Sequence, residues 1–152
     1  MTYAAAEARQ QLLDEVAAAI DALAAALAAV GTAYEQLDDD GADTLEEELF
    51  RPVQAAYGRA KRTHSGFAER HGLPARTFDP APPGRASAGV SALLEGAVDS
   101  VGEAEYLLSE LQDSMMPVEV GDPELRAGLA EVREGLADVS RRAREFQRRL
   151  GR

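Results

Sequence analysis

Two histidines and one tyrosine are the side chains of this sequence that are best suited to hold a ligand. Tyr57, His64 and His71 follow one another at intervals of seven residues. In an α-helix this interval places all three on one face, with about 10 Å between neighbours. A histidine pair this far apart needs ligands from other helices before it can hold a metal ion. Two interpretations follow: a ligand site in a helical core, or structural histidines on a seam that faces the core.

The spacing that di-iron bundles use, a glutamate three residues before each histidine, is missing from this chain. Lys61 and Ala68 occupy these positions, whereas such bundles carry a Glu-x-x-His motif on two helices. The chain also has no cysteine, so thiolate ligands and a cysteine nucleophile are excluded. We therefore predict no metal ligands, no cofactor and no catalytic residues, and we favour a protein that is not an enzyme.

An acidic segment, residues 36–47, can be aligned with the calcium-binding loop of an EF-hand. Asp38, Asp40 and Glu47 fall at ligand positions, but Gln36 stands where the first acidic ligand belongs. The alternative, which we favour, is a polar turn between two helices. Its acids would then stabilise the positive end of the helix that follows.

Charge is distributed unevenly along the chain, which has a formal net charge of −11. This acidity argues against nonspecific nucleic-acid binding, whose affinity comes from neutralising phosphates. Basic residues concentrate in 51–76 and 141–152, whereas residues 86–124 contain acids and no base. The basic residues could complement the dipoles of the helices whose C-termini they occupy. Alternatively, they could form one basic end that holds an anion, an acidic partner or a second copy.

Apolar residues recur at alternating steps of three and four in four segments of the chain. This pattern is typical of amphipathic helices that supercoil left-handedly around one another. Matched segment lengths favour a bundle over a single long coiled coil. The sequence therefore predicts one all-α domain over residues 1–152, an antiparallel, left-handed four-helix bundle. The predicted helices cover about 3–38, 44–71, 87–116 and 123–150.

Three positions mark where helices begin or bend. Asp122 followed by Pro123 combines an N-cap acceptor with a proline at the first helical position. Thr44 and Glu47 have the spacing of a capping box, so the second helix is expected to begin at Thr44. Pro52 falls inside that helix and predicts a kink or a later start, because proline cannot donate a backbone hydrogen bond.

The proline-rich linker at residues 72–85 decides the topology. If it turns back at once, the bundle is up-down-up-down, which we prefer because neighbouring antiparallel hairpins are common. Stretched out, the linker reaches about 46 Å, enough to cross the bundle. An up-down-down-up bundle with a long crossover is therefore the alternative. In the preferred topology the basic ends of the second and fourth helices would meet, which would make the molecule bipolar.

The first helix has an unusually apolar outer side for a surface helix. Small side chains on that side would allow another helix to approach closely, which predicts self-association through this surface. The alternative is that alanine, a strong helix former, simply fills exposed positions in an alanine-rich chain. Gly128 and Gly135, beside the seam of the fourth helix, predict a second site of close approach. The outward-facing positions expected to form the interaction surface are Ala18, Ala22, Ala25 and Ala29.

These patterns favour a non-enzymatic helical interaction or scaffold protein that forms a homodimer and presents helix faces to a protein partner. The alternative is a bundle that binds a metal ion or small ligand in its core through His64 and His71. Charged residues near the N-terminus, Glu7, Arg9 and Asp14, interrupt any apolar stretch, so the sequence lacks the layout of a signal peptide. No uncharged run reaches the about 20 residues of a membrane span, so we expect a soluble, cytoplasmic protein with no membrane or nucleic-acid partner.

Overall fold

The computed structural model describes residues 3–85 and 87–150 of the chain. All regular secondary structure in this part of the chain is helical, and four long helical units pack against one another. The predicted all-α helical bundle is therefore confirmed. Its elements are α1 (Tyr3–Glu35), α2 (Asp39–Leu45), a π-helical turn (Glu46–Phe50), α3 (Arg51–Arg70), α4 (Val90–Asp113), α5 (Met116–Glu119), α6 (Pro123–Leu136) and α7 (Val139–Leu150).

The second long unit runs without interruption from α2 through the π-helical turn into α3. Its N-cap is Asp38, whose carboxylate accepts a 2.8 Å hydrogen bond from the Gly41 backbone N–H. The helix therefore begins before Thr44, and the capping box predicted there is wrong. The same cap confirms that the acidic segment is a helix start rather than an EF-hand loop.

The irregularity predicted at Pro52 takes the form of a π-helical turn that ends at Phe50, two residues before the proline. A proline inside an α-helix removes one hydrogen bond, and its ring crowds the carbonyl group four residues earlier. A π-helical turn widens the helix locally and changes that register. The helix can therefore continue through Pro52 without the late start that we considered.

The fourth long unit begins as predicted but is not continuous. Asp122 accepts a 2.8 Å hydrogen bond from the Leu125 backbone N–H, which confirms the predicted N-cap. A short turn at Ala137 and Asp138 separates α6 from α7, so the prediction of one helix over 123–150 is wrong. The third unit, predicted at 87–116, is shorter at both ends, because α4 covers Val90–Asp113. Its C-terminal end is followed by Met115, which adopts a left-handed conformation with φ 69° between α4 and α5.

Hydrogen bonds between helix ends establish the topology. Arg70, at the end of α3, donates to both carboxylate oxygens of Asp122, the cap of α6. Gln36, just after α1, donates to the Ala88 carbonyl group, just before α4. The end of α3 and the start of α4 therefore lie at opposite ends of the bundle. The preferred up-down-up-down topology is wrong, and the alternative, up-down-down-up with a long crossover, is what the structure has.

Close packing between α1 and α4 explains why the chain crosses. These two helices make the most extensive contact in the described part of the chain. In this arrangement every pair of adjacent long units is antiparallel, whereas the parallel pairs α3–α4 and α1–α6 lie on the diagonals. Six alanines of α1 are buried in the core: Ala17, Ala19, Ala22, Ala24, Ala26 and Ala33.

The crossover also changes how charge is arranged at the two ends. At one end Arg70 of α3 lies 2.8 Å from the Asp122 carboxylate. At the other end Arg149 of α7 lies 2.9 Å from the carboxylate of Glu48 in the π-helical turn. Each basic helix end thus meets an acidic turn, which stabilises both. The predicted bipolar molecule is therefore wrong.

One helix in the described part of the chain, α1 over residues 4–35, is long and apolar enough to cross a membrane by length and composition. Of its most apolar stretch, 61% is buried inside the bundle. A helix that forms the centre of a protein core meets the same criteria. Leu13, Ile20 and Leu23 of α1 are completely buried in this way.

Candidate functional site

The crossover segment, residues 72–85, returns along the groove between α1 and α3. Arg76 binds Asp21 of α1 with a nitrogen–oxygen distance of 3.0 Å. Further along, the Gly84 backbone N–H donates a 3.0 Å hydrogen bond to the Thr32 hydroxyl group. The crossover segment is therefore held at two points about three turns of α1 apart. The space between these points is where a ligand could enter.

An apolar cleft lies beneath the crossover segment, with a volume of about 270 Å³. Small side chains on α1 leave room there, and the proline-rich segment spans that room without filling it. Most of the lining is apolar, and its polar side chains are one amide and one phenol. The lining residues are Ala24, Leu27, Ala28, Phe50, Gln54, Tyr57, Pro80 and Ala81.

Of the three residues predicted to bind a ligand, Tyr57 lines this apolar cleft. Burial raises the pKa of its phenol, and the carboxylates of Asp21 and Asp79 raise it further. The hydroxyl group therefore stays protonated at neutral pH and can donate a hydrogen bond. The ammonium group of Lys61 lies 4.2 Å from the centre of the Tyr57 ring, a distance typical of a cation–π contact.

A second depression, which we call the basic recess, lies between the following part of α3 and the crossover segment. Its volume is about 430 Å³. The guanidinium group of Arg62 folds back over Gly58, where a β-carbon would lie only 3.3 Å from one of its nitrogens. The glycine thus makes room for this charge. The residues around the basic recess are Gly58, Lys61, Arg62, Ser65, Arg76, Thr77 and Phe78.

His64 lies beneath the crossover segment and is only 3% exposed. Its ring meets Phe78 edge-on, with 5.0 Å between ring centres. Burial lowers the pKa of His64, the nearby Arg76 lowers it further, and Asp14 opposes them. The imidazole is therefore neutral at neutral pH. Its Nδ1 atom is buried and has no hydrogen-bond partner among the described residues.

His71 belongs to a different cluster, at the end of α3. Its Nε2 atom lies 3.0 Å from a carboxylate oxygen of Asp122, which also binds Arg70. Burial alone would raise the pKa of Asp122. Hydrogen bonds from Arg70, the Leu125 backbone N–H and His71 outweigh it and lower this pKa to about 2. His71 therefore helps to anchor α3 to α6.

The structure separates the three residues that were predicted to bind a ligand. Tyr57 and His64 both lie beside the crossover segment, but His71 binds Asp122 at the base of the bundle. Within residues 3–85 and 87–150, no three histidine or acidic side chains form a group that could hold a metal ion. The seven-residue spacing placed the histidines on one face of the helix, but different segments cover that face along its length.

The alanine surface predicted on the first helix is only partly exposed. Ala18 and Ala25 face solvent, whereas Ala29 is half-buried and packs against the core. Ala22 is only 7% exposed, so its prediction as an outward-facing residue is wrong. Ala22 belongs instead to the hydrophobic core of the bundle.

The close approach predicted at Gly128 is confirmed. A β-carbon at Gly128 would overlap the Thr63 hydroxyl group of α3 and lie 2.8 Å from its methyl group. At Gly135 there is more room, because the nearest atom, the Ala56 β-carbon, would be 3.9 Å away. The glycine at position 128 thus allows α6 to lie directly against α3.

The proximity of the apolar cleft to the basic recess is what the sequence did not predict. Lys61 and Arg62 belong to a basic segment that the sequence identified, but their neighbours across the groove come from the crossover segment. Only the crossing topology brings these parts together.

Comparison of the chain with models of protein families, with curated proteins and with solved structures finds no match.

Proposed function

We propose that this protein is a non-enzymatic helical bundle that binds a small ligand in the apolar cleft beneath its crossover segment. The observation that carries this proposal is the cleft itself, a preformed space of about 270 Å³ between two packed helices and an extended segment. Ligand sites are commonly concave, mostly apolar and built from few polar groups. This cleft has that composition.

The side chains of the cleft favour binding over catalysis. Tyr57 is a neutral phenol, because its pKa is raised by burial and by nearby carboxylates. Gln54 contributes an amide, which is not a general acid or base. Both groups can orient a ligand through hydrogen bonds. The remaining contacts, from residues such as Leu27 and Phe50, would hold its apolar part.

A neutral fluorescent probe, N-phenyl-1-naphthylamine, tests the proposal directly. We expect the wild-type protein to enhance its fluorescence saturably. Ala28→Phe should fill the cleft and weaken binding by about tenfold or more, which is about 1.4 kcal/mol. Ala55→Phe is the matched control, because Ala55 is exposed on α3 and does not line the cleft.

Unsaturable fluorescence with wild-type protein would contradict the proposal. So would equal probe affinities for Ala28→Phe and Ala55→Phe. Circular dichroism should show that both variants keep the helix content of the wild-type protein, so that a lost site can be separated from a lost fold.

Self-association is a second candidate function, and one feature of the surface favours it. Helices α4 and α7 are neighbours, and the groove between them is lined by acids on α4 and by arginines on α7. Glu95, Asp99, Arg144 and Arg148 are all exposed, and none has an oppositely charged partner within 4.0 Å among the described residues.

Such a face is complementary to itself under twofold symmetry, because the acidic half of one copy meets the basic half of the other. We expect light scattering coupled to size exclusion to detect a dimer that high salt dissociates. Two charge-reversed variants, Arg144→Glu with Arg148→Glu and Glu95→Arg with Asp99→Arg, should each be monomeric and should dimerise when mixed. Variants that dimerise on their own would rule out this interface.

A further inference from the structure

We propose that the ligand is a single-chain amphiphile with an anionic head group. Its apolar chain would occupy the apolar cleft, and its head group would lie in the basic recess. This inference rests on the proposed function, since it names the class of ligand that the same site accepts.

The two depressions are lined by consecutive stretches of α3 and have no lining residue in common. Tyr57 lines the apolar cleft, and Gly58, the next residue, lines the basic recess. Lys61 joins them, because its ammonium group lies over the Tyr57 ring while its side chain lines the basic recess. A molecule whose apolar end contacts Tyr57 would therefore place its other end close to Lys61.

Two cations of the basic recess, Lys61 and Arg62, form no close ion pair with the protein. Lys61 and Arg62 have no carboxylate within 4.0 Å among the described residues. Arg76, in contrast, binds Asp21 and lies over the Phe78 ring at 4.6 Å. In a chain with a net charge of −11, two unpaired cations beside an apolar cleft are complementary to an anion with an apolar tail.

His64 supplies an independent observation at the same place. Among the described residues, its Nδ1 is the one buried side-chain nitrogen or oxygen atom without a hydrogen-bond partner. Buried polar groups normally have a partner, and a buried group without one calls for an unobserved water or ligand. The His64 ring contacts Phe78, which lines the basic recess. The imidazole that carries the unpartnered atom therefore lies next to a side chain that forms part of the basic recess.

Calorimetric titration with decanoate and with 1-decanol tests the inference, because the two probes share a chain and differ in head-group charge. At neutral pH we expect decanoate to bind wild-type protein about fivefold more tightly, as expected for two partly exposed charge pairs. The variant Lys61→Gln with Arg62→Gln should bind both probes with the same affinity. Arg133→Gln, which removes an exposed arginine of α6 that lines neither the apolar cleft nor the basic recess, should keep the preference for decanoate.

Each remaining outcome overturns a defined part of the proposal. Equal binding of decanoate and decanol to wild-type protein, with both weakened by Ala28→Phe, would overturn the anionic head group and leave the apolar site in place. A preference for decanoate that survives in the Lys61→Gln, Arg62→Gln variant would overturn the basic recess as its location. No binding of either probe would overturn both this inference and the proposed function.

Discussion

The two sides of α3 differ in how closely they are packed and in whether their polar atoms have hydrogen-bond partners. On the side of α6, Gly128 lets the helix lie directly against Thr63, and Asp122 uses both carboxylate oxygens on Arg70 and His71. On the side of the crossover segment, a cleft of about 270 Å³ stays open. The Nδ1 atom of His64 there has no partner.

The difference follows from what covers each side. A helix presents regular ridges that interdigitate with those of its neighbour, so α6 and α3 pack without leaving space. An extended segment with several prolines has no such ridges, and its backbone positions are restricted by the proline rings. It therefore touches α1 and α3 at separate points and leaves depressions between them. In this bundle the candidate site lies where an irregular segment covers two helices.

The largest expected effect on stability comes from a substitution in the closely packed contact between α3 and α6. Gly128→Ala places a β-carbon against the Thr63 side chain, whose hydroxyl group is already held by the Arg59 carbonyl group at 2.8 Å. We expect the free energy of unfolding in urea to fall by about 3 kcal/mol, the upper range for overpacking. Gly135→Ala, where the added atom has room, should instead be neutral or stabilising by up to about 1 kcal/mol. Equal stability of the two variants would show that α6 does not lie this close to α3.

A smaller effect is expected from removing the carboxylate that joins α3 to α6. Asp122→Ala loses the N-cap of α6 and the contacts to Arg70 and His71, which should lower the unfolding free energy by about 2 kcal/mol at neutral pH. Asp122→Asn keeps a capping oxygen and should lose less.

The pH dependence of Asp122 has a definite sign. Its pKa is about 2 in the folded protein against an ordinary value of 3.8. The unfolded chain therefore binds the proton more tightly, and the stability that Asp122 contributes is complete above 3.8 and is lost as the pH falls through 2. The stability difference between wild type and Asp122→Asn should shrink over this range in urea titrations. A difference that is constant with pH would contradict the ion pair.

The smallest effect is expected on the crossover side, at His64. Because its pKa is lowered below 6.5, the unfolded chain binds more protons below that pH, and wild-type stability should fall on acidification. His64→Phe removes this penalty and the unpartnered nitrogen, so it should be neutral or stabilising by up to about 1 kcal/mol at neutral pH. The measurement that checks this is the thermal unfolding of the wild-type protein and of His64→Phe at several pH values.

His64→Gln is the matched variant for this experiment, since it does not titrate but keeps polar atoms. It should share the weaker pH dependence of His64→Phe without its gain in stability. If wild type and both variants lost stability in parallel on acidification, His64 would not be a buried neutral imidazole.

Local features of the candidate site were predictable, but their assembly was not. Tyr57 and His64 were identified from their spacing on one helix, and Lys61 and Arg62 from the charge of their segment. His71 has the same spacing and yet contacts a different part of the molecule, Asp122. Helical periodicity determines which residues share a face, whereas it contains no information about which segment covers each turn of that face.

The sequence by itself determined four amphipathic helices, the cap at Asp122 and the close approach at Gly128, because each depends on a few neighbouring residues or on the absence of a β-carbon. Tertiary structure alone decided whether residues 72–85 turn back or cross, because a linker of this length can do either. Helix α1 packs against α4 in an antiparallel pair. That pairing requires the crossover, and the crossover creates both the neutralised bundle ends and the candidate site.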